Sequence, residues 1–154
     1  MNKLLNKTFF LAKVICIYLV LSATVFAKES NFFIKGKELF NKKQYEKSKI
    51  LFERDLIFNP KSELSYLFLA KIFKEKEKEQ EQETNLNNVL LLNPSNDEAI
   101  YMLIHIKIKQ FDYSKAKELI NKFNLVCKSF CPKKEEIAKK LKTIIPEDNA
   151  KNTN

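Results

Sequence analysis

Two short stretches, "FNPKSELS" at Phe58–Ser65 and "LNPSNDEA" at Leu92–Ala99, share the arrangement that decides the fold. In each stretch an apolar residue precedes Asn-Pro, and polar residues follow before a new apolar run begins. Pro94 follows Pro60 at a distance of 34 positions in the sequence. Because the residues on both sides recur with the dipeptide, the stretches indicate a repeat with a fixed period.

The residues around Asn-Pro predict helix boundaries. The residue before a proline is disfavoured in the helical conformation, so Asn59 and Asn93 are predicted to end helices. Ser62 and Ser95 then offer hydroxyls to the free amides of the next helices, and Ser95 with Glu98 has the spacing of a capping box. The dipeptide therefore marks a junction between helices and not a site of chemistry.

The same period organises the chain from position 29 to position 130. Rows that start one period apart, at Glu29, Glu63 and Asp97, each contain two runs with apolar residues three and four apart, which is helical spacing. The rows predict six helices, at 30–43, 46–58, 63–76, 79–92, 96–109 and 112–126. A content of one glycine and four prolines agrees, because strands with tight hairpins need more turn residues.

The second row contains a run, "KEKEKEQEQE" at 74–83, that has neither proline nor glycine. Its charges alternate, and opposite charges three and four residues apart stabilise a helix. The run is therefore interpreted as exposed helix, and it stays open whether the first helix of this row continues before reversing or turns regularly as in the other rows.

The period and the columns resemble the tetratricopeptide repeat (TPR), a helix–turn–helix unit with the signature W-x2-L-G-x2-Y, then A-x3-F, then P. The signature positions hold, row by row, Phe32, Lys35, Gly36, Leu39, Ser48, Phe52 and Pro60; Tyr66, Leu69, Ala70, Phe73, Gln82, Leu86 and Pro94; Ile100, Leu103, Ile104, Lys107, Ala116 and Ile120. The resemblance implies an all-α, right-handed α-solenoid of three TPR-like repeats, at 29–62, 63–96 and 97–130. Gln82 and Ile104 depart from the small residues that the family has where two helices cross.

A stack of repeats needs a covering element at its end. Residues 132–145 are predicted to form this capping helix, with Ile137, Leu141, Ile144 and Ile145 on its apolar face and Pro146 at its end. The solvated face of the helix is expected to carry Lys133, Lys134, Glu136, Lys139 and Lys140. The domain then spans 28–146, and the polar tail 147–154 is expected to be disordered.

Residues 1–27 have the pattern of a secretory signal peptide, with three lysines, an apolar run at 14–26 and a small residue, Ala27, at the expected cleavage point. A retained membrane anchor and lipidation at Cys16 are the alternatives, although the run is shorter than the roughly 20 residues that span a bilayer. Export predicts a periplasmic or envelope-associated protein of a bacterium. Cleavage after Ala27 would remove three lysines and leave a net charge of +9 − 3 = +6. In an exported protein this charge favours anionic lipid, cell-wall polymer or acidic proteins as partners, and not nucleic acid.

The resemblance also implies where a partner binds, because the first helices of TPR units line a concave face that holds peptides or helices. By column, that face comprises Phe33, Lys37, Phe40, Asn41, Leu67, Lys71, Lys74, Tyr101, His105, Ile108 and Lys109. An apolar stripe of Phe33, Leu67 and Tyr101 beside lysines predicts a protein or peptide partner with apolar anchors and acidic flanks. Packing between repeats is the alternative for Phe33 and Tyr101, and simple solvent exposure is the alternative for the lysines.

Two functions from different classes follow. The first is an exported adaptor that binds a protein or peptide on the concave face, either by itself or as a subunit of an envelope assembly. The second is a membrane-tethered structural envelope protein whose basic surface contacts lipid or cell wall, which a retained signal segment would favour. Neither function needs a cofactor.

Cys127 and Cys131 stand beside Pro132 near the end of the last repeat. A disulfide, free buried thiols and a functional thiol are the three interpretations, and an exported location favours the disulfide. A zinc site needs about four ligands, which His105 does not complete. With a single histidine, no glycine-rich phosphate loop and no nucleophile elbow, the chain is predicted to be a non-enzymatic protein with no catalytic residue or metal.

Overall fold

The computed structural model describes residues 29–144, where the chain folds as seven α-helices without a strand. The helices are α1 (Asn31–Asn41), α2 (Tyr45–Phe58), α3 (Glu63–Glu75), α4 (Glu79–Leu92), α5 (Asp97–Lys109), α6 (Tyr113–Val126) and α7 (Lys134–Ile144), with a 3-10 turn at Cys131–Lys133. The first six form the pairs α1–α2, α3–α4 and α5–α6, and each pair packs on the next. The predicted all-α solenoid of helix pairs is confirmed. The predicted signal segment and the tail 147–154 lie outside the described residues.

The three turns inside the helix pairs share one backbone motif. Lys43, Glu77 and Phe111, which recur with the period of the repeat, all have left-handed backbone angles, with φ of 56°, 55° and 59°. In the first turn the Gln44 N–H donates to the Leu39 carbonyl oxygen over 2.9 Å, and equivalent bonds close the other two turns. This is the Schellman motif that commonly ends helices, formed here without glycine.

Of the two alternatives left open for the charged run at 74–83, the structure shows the regular turn. The helix α3 ends at Glu75 and the chain reverses through Glu77, as in the other repeats. Pairs of opposite charges contribute only about 0.2–0.5 kcal/mol each to a helix. The reversal places Leu86 and Val89 of α4 in the core with no exposed surface, and burial of an aliphatic side chain contributes about 1.5–3 kcal/mol.

The helix ends at the junctions between repeats follow the proline rule. As predicted, Asn59 and Asn93 are the residues at which α2 and α4 end. The capping prediction for Ser95 is wrong, because Asn96 caps α5 by accepting a hydrogen bond from the Ala99 N–H at 2.8 Å. The helix α5 begins at Asp97, so Asn96 and not Ser95 is the residue next to it. The Ser95 N–H donates to the side-chain oxygen of Asn93 at 3.1 Å.

Ser62 also departs from its predicted role. It precedes α3, but its hydroxyl donates to the Ser65 hydroxyl at 3.1 Å and accepts no hydrogen bond from a backbone amide of the helix. Ser65 in turn donates to Asp55, and Ser30, which caps α1, donates to the other oxygen of the same carboxylate. The buried Asp55 thereby joins the first two repeats, and its two partners satisfy a carboxylate that burial would otherwise destabilise.

The helices α1 and α2 cross closely inside the first repeat. The Ser48 hydroxyl donates to the Gly36 carbonyl oxygen at 2.8 Å, and both residues are buried. A Cβ atom at position 36 would lie 2.9 Å from the Phe52 ring, so only glycine fits without movement. The packing of α1 on α2 therefore explains why Gly36 and Ser48, at the two positions where the TPR family has small residues, are small here.

Two apolar clusters form the core. One occupies the first repeat and the adjoining face of the second, with Phe33, Phe52, Leu69, Ile72 and Phe73 buried together. The other runs from the second repeat through the third to Ile137 of α7. The helix α7 thus covers the open end of the stack. Between residues 29 and 144, no helix is both long and apolar enough to cross a membrane.

Candidate functional site

A groove of about 960 Å³ opens between α3, α5 and α7. Five of the predicted partner-binding residues line it: Lys74, Tyr101, His105, Ile108 and Lys109. Other lining residues are Glu77, Glu79, Gln82, Met102, Ile106, Phe111, Glu136 and Lys140. The site therefore concentrates at the second and third repeats, and the predicted residues of α1 lie elsewhere.

The predicted exposed apolar stripe does not exist. Phe33 and Leu67 are only 2% and 4% exposed, so they belong to the core and present no surface to a partner. The Phe33 ring lies 5.7 Å from the Phe52 ring and 5.7 Å from the Phe68 ring. Aromatic pairs at such separations add to the free energy of burial, which explains why this helix face turns inwards. Only Tyr101 of the stripe reaches the groove.

The remaining predicted residues of α1 have mixed surroundings. Phe40 is half-buried, with its ring 5.1 Å from the Phe68 ring and 5.5 Å from the Tyr45 ring. Asn41 and Lys37 are exposed, and neither lines the groove. The structure therefore offers no continuous contact surface along α1.

The predicted lysines differ in whether they are paired. Lys71 lies 2.9 Å from Glu98 and 4.9 Å from the centre of the Phe68 ring, so it stabilises the contact between repeats. Lys109 is paired with Glu79 at 2.6 Å. Lys74 is exposed in the groove and has no salt bridge within residues 29–144. Lys74 is thus an available cation, whereas Lys71 is not.

Polar side chains from α5 and α7 meet at one end of the groove. The Tyr101 hydroxyl donates to Glu136 at 2.6 Å, and Lys133 lies 2.8 Å from the other oxygen of that carboxylate. Lys140 Nζ lies 3.0 Å from His105 Nδ1, and His105 Nε2 lies 3.6 Å from Glu136. Because an ammonium group only donates, His105 Nδ1 accepts and the ring proton is assigned to Nε2.

These contacts shift the pKa values of three groups. Hydrogen bonds from Lys133 and then Tyr101 lower the pKa of Glu136 to about 2. Burial, followed by the hydrogen bond to Glu136, raises the pKa of Tyr101 to about 12. Burial, reinforced by the nearby Lys140 charge, lowers the pKa of His105, against the opposing pull of Glu136. At neutral pH the cluster therefore contains a neutral tyrosine, a neutral histidine and an ionised carboxylate.

Glu136 and Lys140 are exposed, as predicted for the solvated face of the capping helix, but the sequence did not predict that this face borders the groove. Both contact the groove-lining residues Tyr101 and His105, and in each pair the two residues are 35 positions apart. The helix α7 therefore stands where the first helix of a fourth repeat would stand. Extending the rows by one more period of 34 would have selected the neighbours Glu135 and Lys139, because the spacing to α7 is one residue longer than the period.

The end of the last repeat is held by a covalent and a polar link. Cys127 and Cys131 form a disulfide in the structure. Inside this loop the Lys128 N–H and the Phe130 N–H donate to Asp97 at 2.7 and 2.9 Å. The loop thus fixes the approach of the chain to α7. Within the described part of the chain, no three His, Cys, Asp or Glu side chains are grouped so as to hold a metal ion.

Comparison with known families and with curated proteins finds no match to this chain. Solved structures do match. The first TPR of Spaghetti (RPAP3), bound to an HSP90 peptide, gives a TM-score of 0.65 at 15% identity over 73% of this chain and 90% of that one. The Yersinia enterocolitica type III secretion chaperone SycD, in complex with a peptide of the translocator YopD, gives 0.64 at 9% identity over 73% and 88%.

A chain of the CopN–Scc3 complex also matches, with a TM-score of 0.61 at 16% identity over 70% of this chain. This chain spans only 65% of the length of that one. Several of the other matching structures are TPR domains. At such identities the likeness shows the fold, and the chain has the fold of TPR domains.

Proposed function

We propose that this protein is an exported, non-enzymatic adaptor that binds a segment of a partner protein in the groove between α3, α5 and α7. The observation that carries the proposal is the groove itself, which is large enough for several side chains of a peptide. Clefts of roughly 300–1,000 Å³ are typical binding sites in proteins. Two of the similar structures contain peptides, which supports a peptide as the occupant.

The lining of the groove suggests the chemistry of the partner. Accessible apolar surface in the groove comes from the ring of Tyr101 and from Phe111, which is 75% exposed, whereas Met102, Ile106 and Ile108 are almost fully buried at its base. Lys74 has no carboxylate partner in the described range, and Lys140 contacts the neutral His105. Of the glutamates in the lining, Glu79 pairs with Lys109 and Glu136 pairs with Lys133, which leaves Glu77 as one carboxylate without a salt bridge in the described range. Two available cations against one such carboxylate favour an occupant with apolar side chains and acidic neighbours, which matches the mode in which peptides dock into grooves.

Export rests on two independent features. The sequence of residues 1–27 has the pattern of a signal peptide. The disulfide between Cys127 and Cys131 belongs to an oxidising compartment, where such bonds persist. A periplasmic or envelope location in a bacterium, as a subunit of a larger assembly, is the setting that both features favour.

The test is selection of peptides from a random library on the folded full-length chain, followed by fluorescence anisotropy with the selected peptides. Lys74→Glu with Lys140→Glu is expected to weaken binding about fivefold per lysine, since exposed ion pairs contribute up to about 1 kcal/mol. Lys37→Glu is the matched control, because Lys37 is an exposed lysine of α1 outside the groove.

Three results separate the possibilities. A loss confined to the Lys74 and Lys140 variant supports binding in the groove. An equal loss with Lys37→Glu indicates a general effect of charge and contradicts the site. Selection of no peptide at all contradicts the adaptor function.

A further inference from the structure

Three exposed aliphatic residues recur at one position of the repeat. Ile57, Leu91 and Leu125 are the penultimate residues of α2, α4 and α6, one in each repeat, and they are 74%, 80% and 86% exposed. Single exposed apolar residues are ordinary on protein surfaces. Recurrence in all three repeats is different, because no contact within the described fold requires an aliphatic side chain there.

These residues lie along the edge of the solenoid where each second helix ends and the next first helix begins, which we call the junction edge. Phe58 at 74% exposure and Leu64 at 41% extend its apolar surface at the first junction. The Phe58 ring stacks on the Phe32 ring at 5.6 Å, so the apolar surface reaches the start of α1. Exposed apolar surface of this kind marks an interaction site.

The charges of the junction edge are mostly cationic. Its basic residues are the exposed Arg54, Lys61, Lys128 and Lys134 and the half-buried Lys122. None of these five has a salt bridge with a carboxylate in the range 29–144. Two exposed carboxylates, Glu29 and Glu135, accompany them, so the edge keeps a positive balance.

The other carboxylates of the junctions are engaged inside the fold. Asp55 accepts from two serine hydroxyls, and Asp97 accepts from backbone amides of the disulfide loop. Glu63 accepts from the side chains of Asn93 at 3.0 Å and Asn96 at 2.6 Å. The negative charges thus stabilise the junctions, while the positive charges face outwards.

The start of the described chain lies on this same edge. Ser30 caps α1 and donates to Asp55 near the end of α2, which fixes the start of α1 beside the first junction. The chain before residue 29 includes the apolar run at 14–26. That run is therefore connected to the fold at the junction edge and not at the opposite edge, which carries Phe111.

We propose that the junction edge docks on the surface of an anionic lipid bilayer. Aliphatic side chains flanked by lysine and arginine are the composition of surfaces that insert shallowly into a membrane interface and bind anionic headgroups. The groove between α3, α5 and α7 is a separate surface, so the inference goes beyond the binding of a peptide.

The test uses the absence of tryptophan from the sequence. Leu91→Trp introduces a single reporter on the junction edge, and Phe111→Trp introduces one on the opposite edge. The two are matched, since both wild-type residues are highly exposed, at 80% and 75%. Each full-length variant is mixed with phosphatidylglycerol vesicles whose acyl chains carry bromine, which quenches tryptophan that enters the interface. Circular dichroism checks that both variants are folded.

The Leu91→Trp fluorescence is expected to shift to the blue and to be quenched, whereas Phe111→Trp keeps its fluorescence. A tether formed by the segment before residue 29 would itself be attached at the junction edge, so the difference between the two reporters gives the orientation of the fold but not its cause. The charge-reversal and neutral-lipid measurements below leave such a tether intact and therefore separate docking of the edge from tethering. Equal quenching of both reporters, or quenching of neither, overturns the proposal.

A second pair of measurements tests the charges. Lys61→Glu with Lys128→Glu in the Leu91→Trp background is expected to reduce the partition of the edge about fivefold per cation, the size of effect that one basic residue has at an anionic surface. Both lysines are exposed, so the substitutions leave the core untouched. The Leu91→Trp variant with its lysines intact is likewise expected to lose partition and quenching when the vesicles are made of neutral phosphatidylcholine. Undiminished quenching in both cases contradicts docking on anionic lipid.

Discussion

Replacing Glu77 with glycine is expected to stabilise this helical protein. Glu77 has φ of 55°, in the left-handed region where the Cβ atom of an L-residue crowds the backbone. That conformation costs about 1–2 kcal/mol for residues other than glycine. Glu77 is exposed and has no salt bridge in the part of the chain that the structure describes, so the substitution removes strain without removing an ion pair.

The net gain is smaller than the strain, because glycine also gives the unfolded chain more freedom. That freedom opposes folding by about 0.5–1 kcal/mol. The difference is a gain of about 0.5–1 kcal/mol in the free energy of unfolding, which raises the melting temperature by about 2–4 °C. Lys43 and Phe111 have equivalent angles, with φ of 56° and 59°, so glycine at all three turns is expected to gain about 2 kcal/mol if the sites are additive.

Urea unfolding followed by far-ultraviolet circular dichroism measures this gain. Lys35→Gly is the matched control, because Lys35 is an exposed residue inside α1. Glycine in a helix interior lowers stability by about 1 kcal/mol. A Glu77→Gly variant that loses as much stability as Lys35→Gly would refute the argument that the left-handed turn is strained.

Two further predictions concern the core and the groove. Gly36→Ala is expected to lower the free energy of unfolding by about 1 kcal/mol. Overpacking against the fully buried Phe52 ring costs about 1–3 kcal/mol, which exceeds the gain in helix propensity of about 1 kcal/mol. Urea unfolding of the variant beside the wild type measures this loss, and a stabilised variant would contradict the prediction. Folding lowers the pKa of His105 from 6.5, so the unfolded chain binds the proton more tightly than the folded chain does. The contribution of His105 to stability is therefore fully present above pH 6.5 and is lost as the pH falls below that value. Urea unfolding of the wild type and of His105→Gln at pH values on both sides of 6.5 is expected to show a smaller acid-induced loss of unfolding free energy in the variant.

Some residues of the candidate groove could be predicted from the sequence, and some could not. The columns of the repeat selected Lys74, Tyr101 and His105, and these residues do line a groove. The same columns selected Phe33 and Leu67, which are buried. A column fixes where a residue lies along its helix, but which side of a helix is covered depends on how the neighbouring repeat packs.

The sequence by itself determined the repeat and its junctions. Proline restricts the residue before it wherever the rest of the chain lies, so Asn59 and Asn93 end their helices for a local reason. The spacing of apolar residues likewise follows from the geometry of a single helix. Local rules of this kind are readable without knowing any partner in space.

Only the tertiary structure decided the turn at Glu77 and the pairing of Tyr101 with Glu136. The turn contradicts the local preference of an alternating charged run, because burial of the next helix contributes more free energy than the charge pairs do. Residues 35 positions apart meet only when α7 packs on α5. Contacts between distant segments therefore placed the charges of the groove, and no local pattern contains that information.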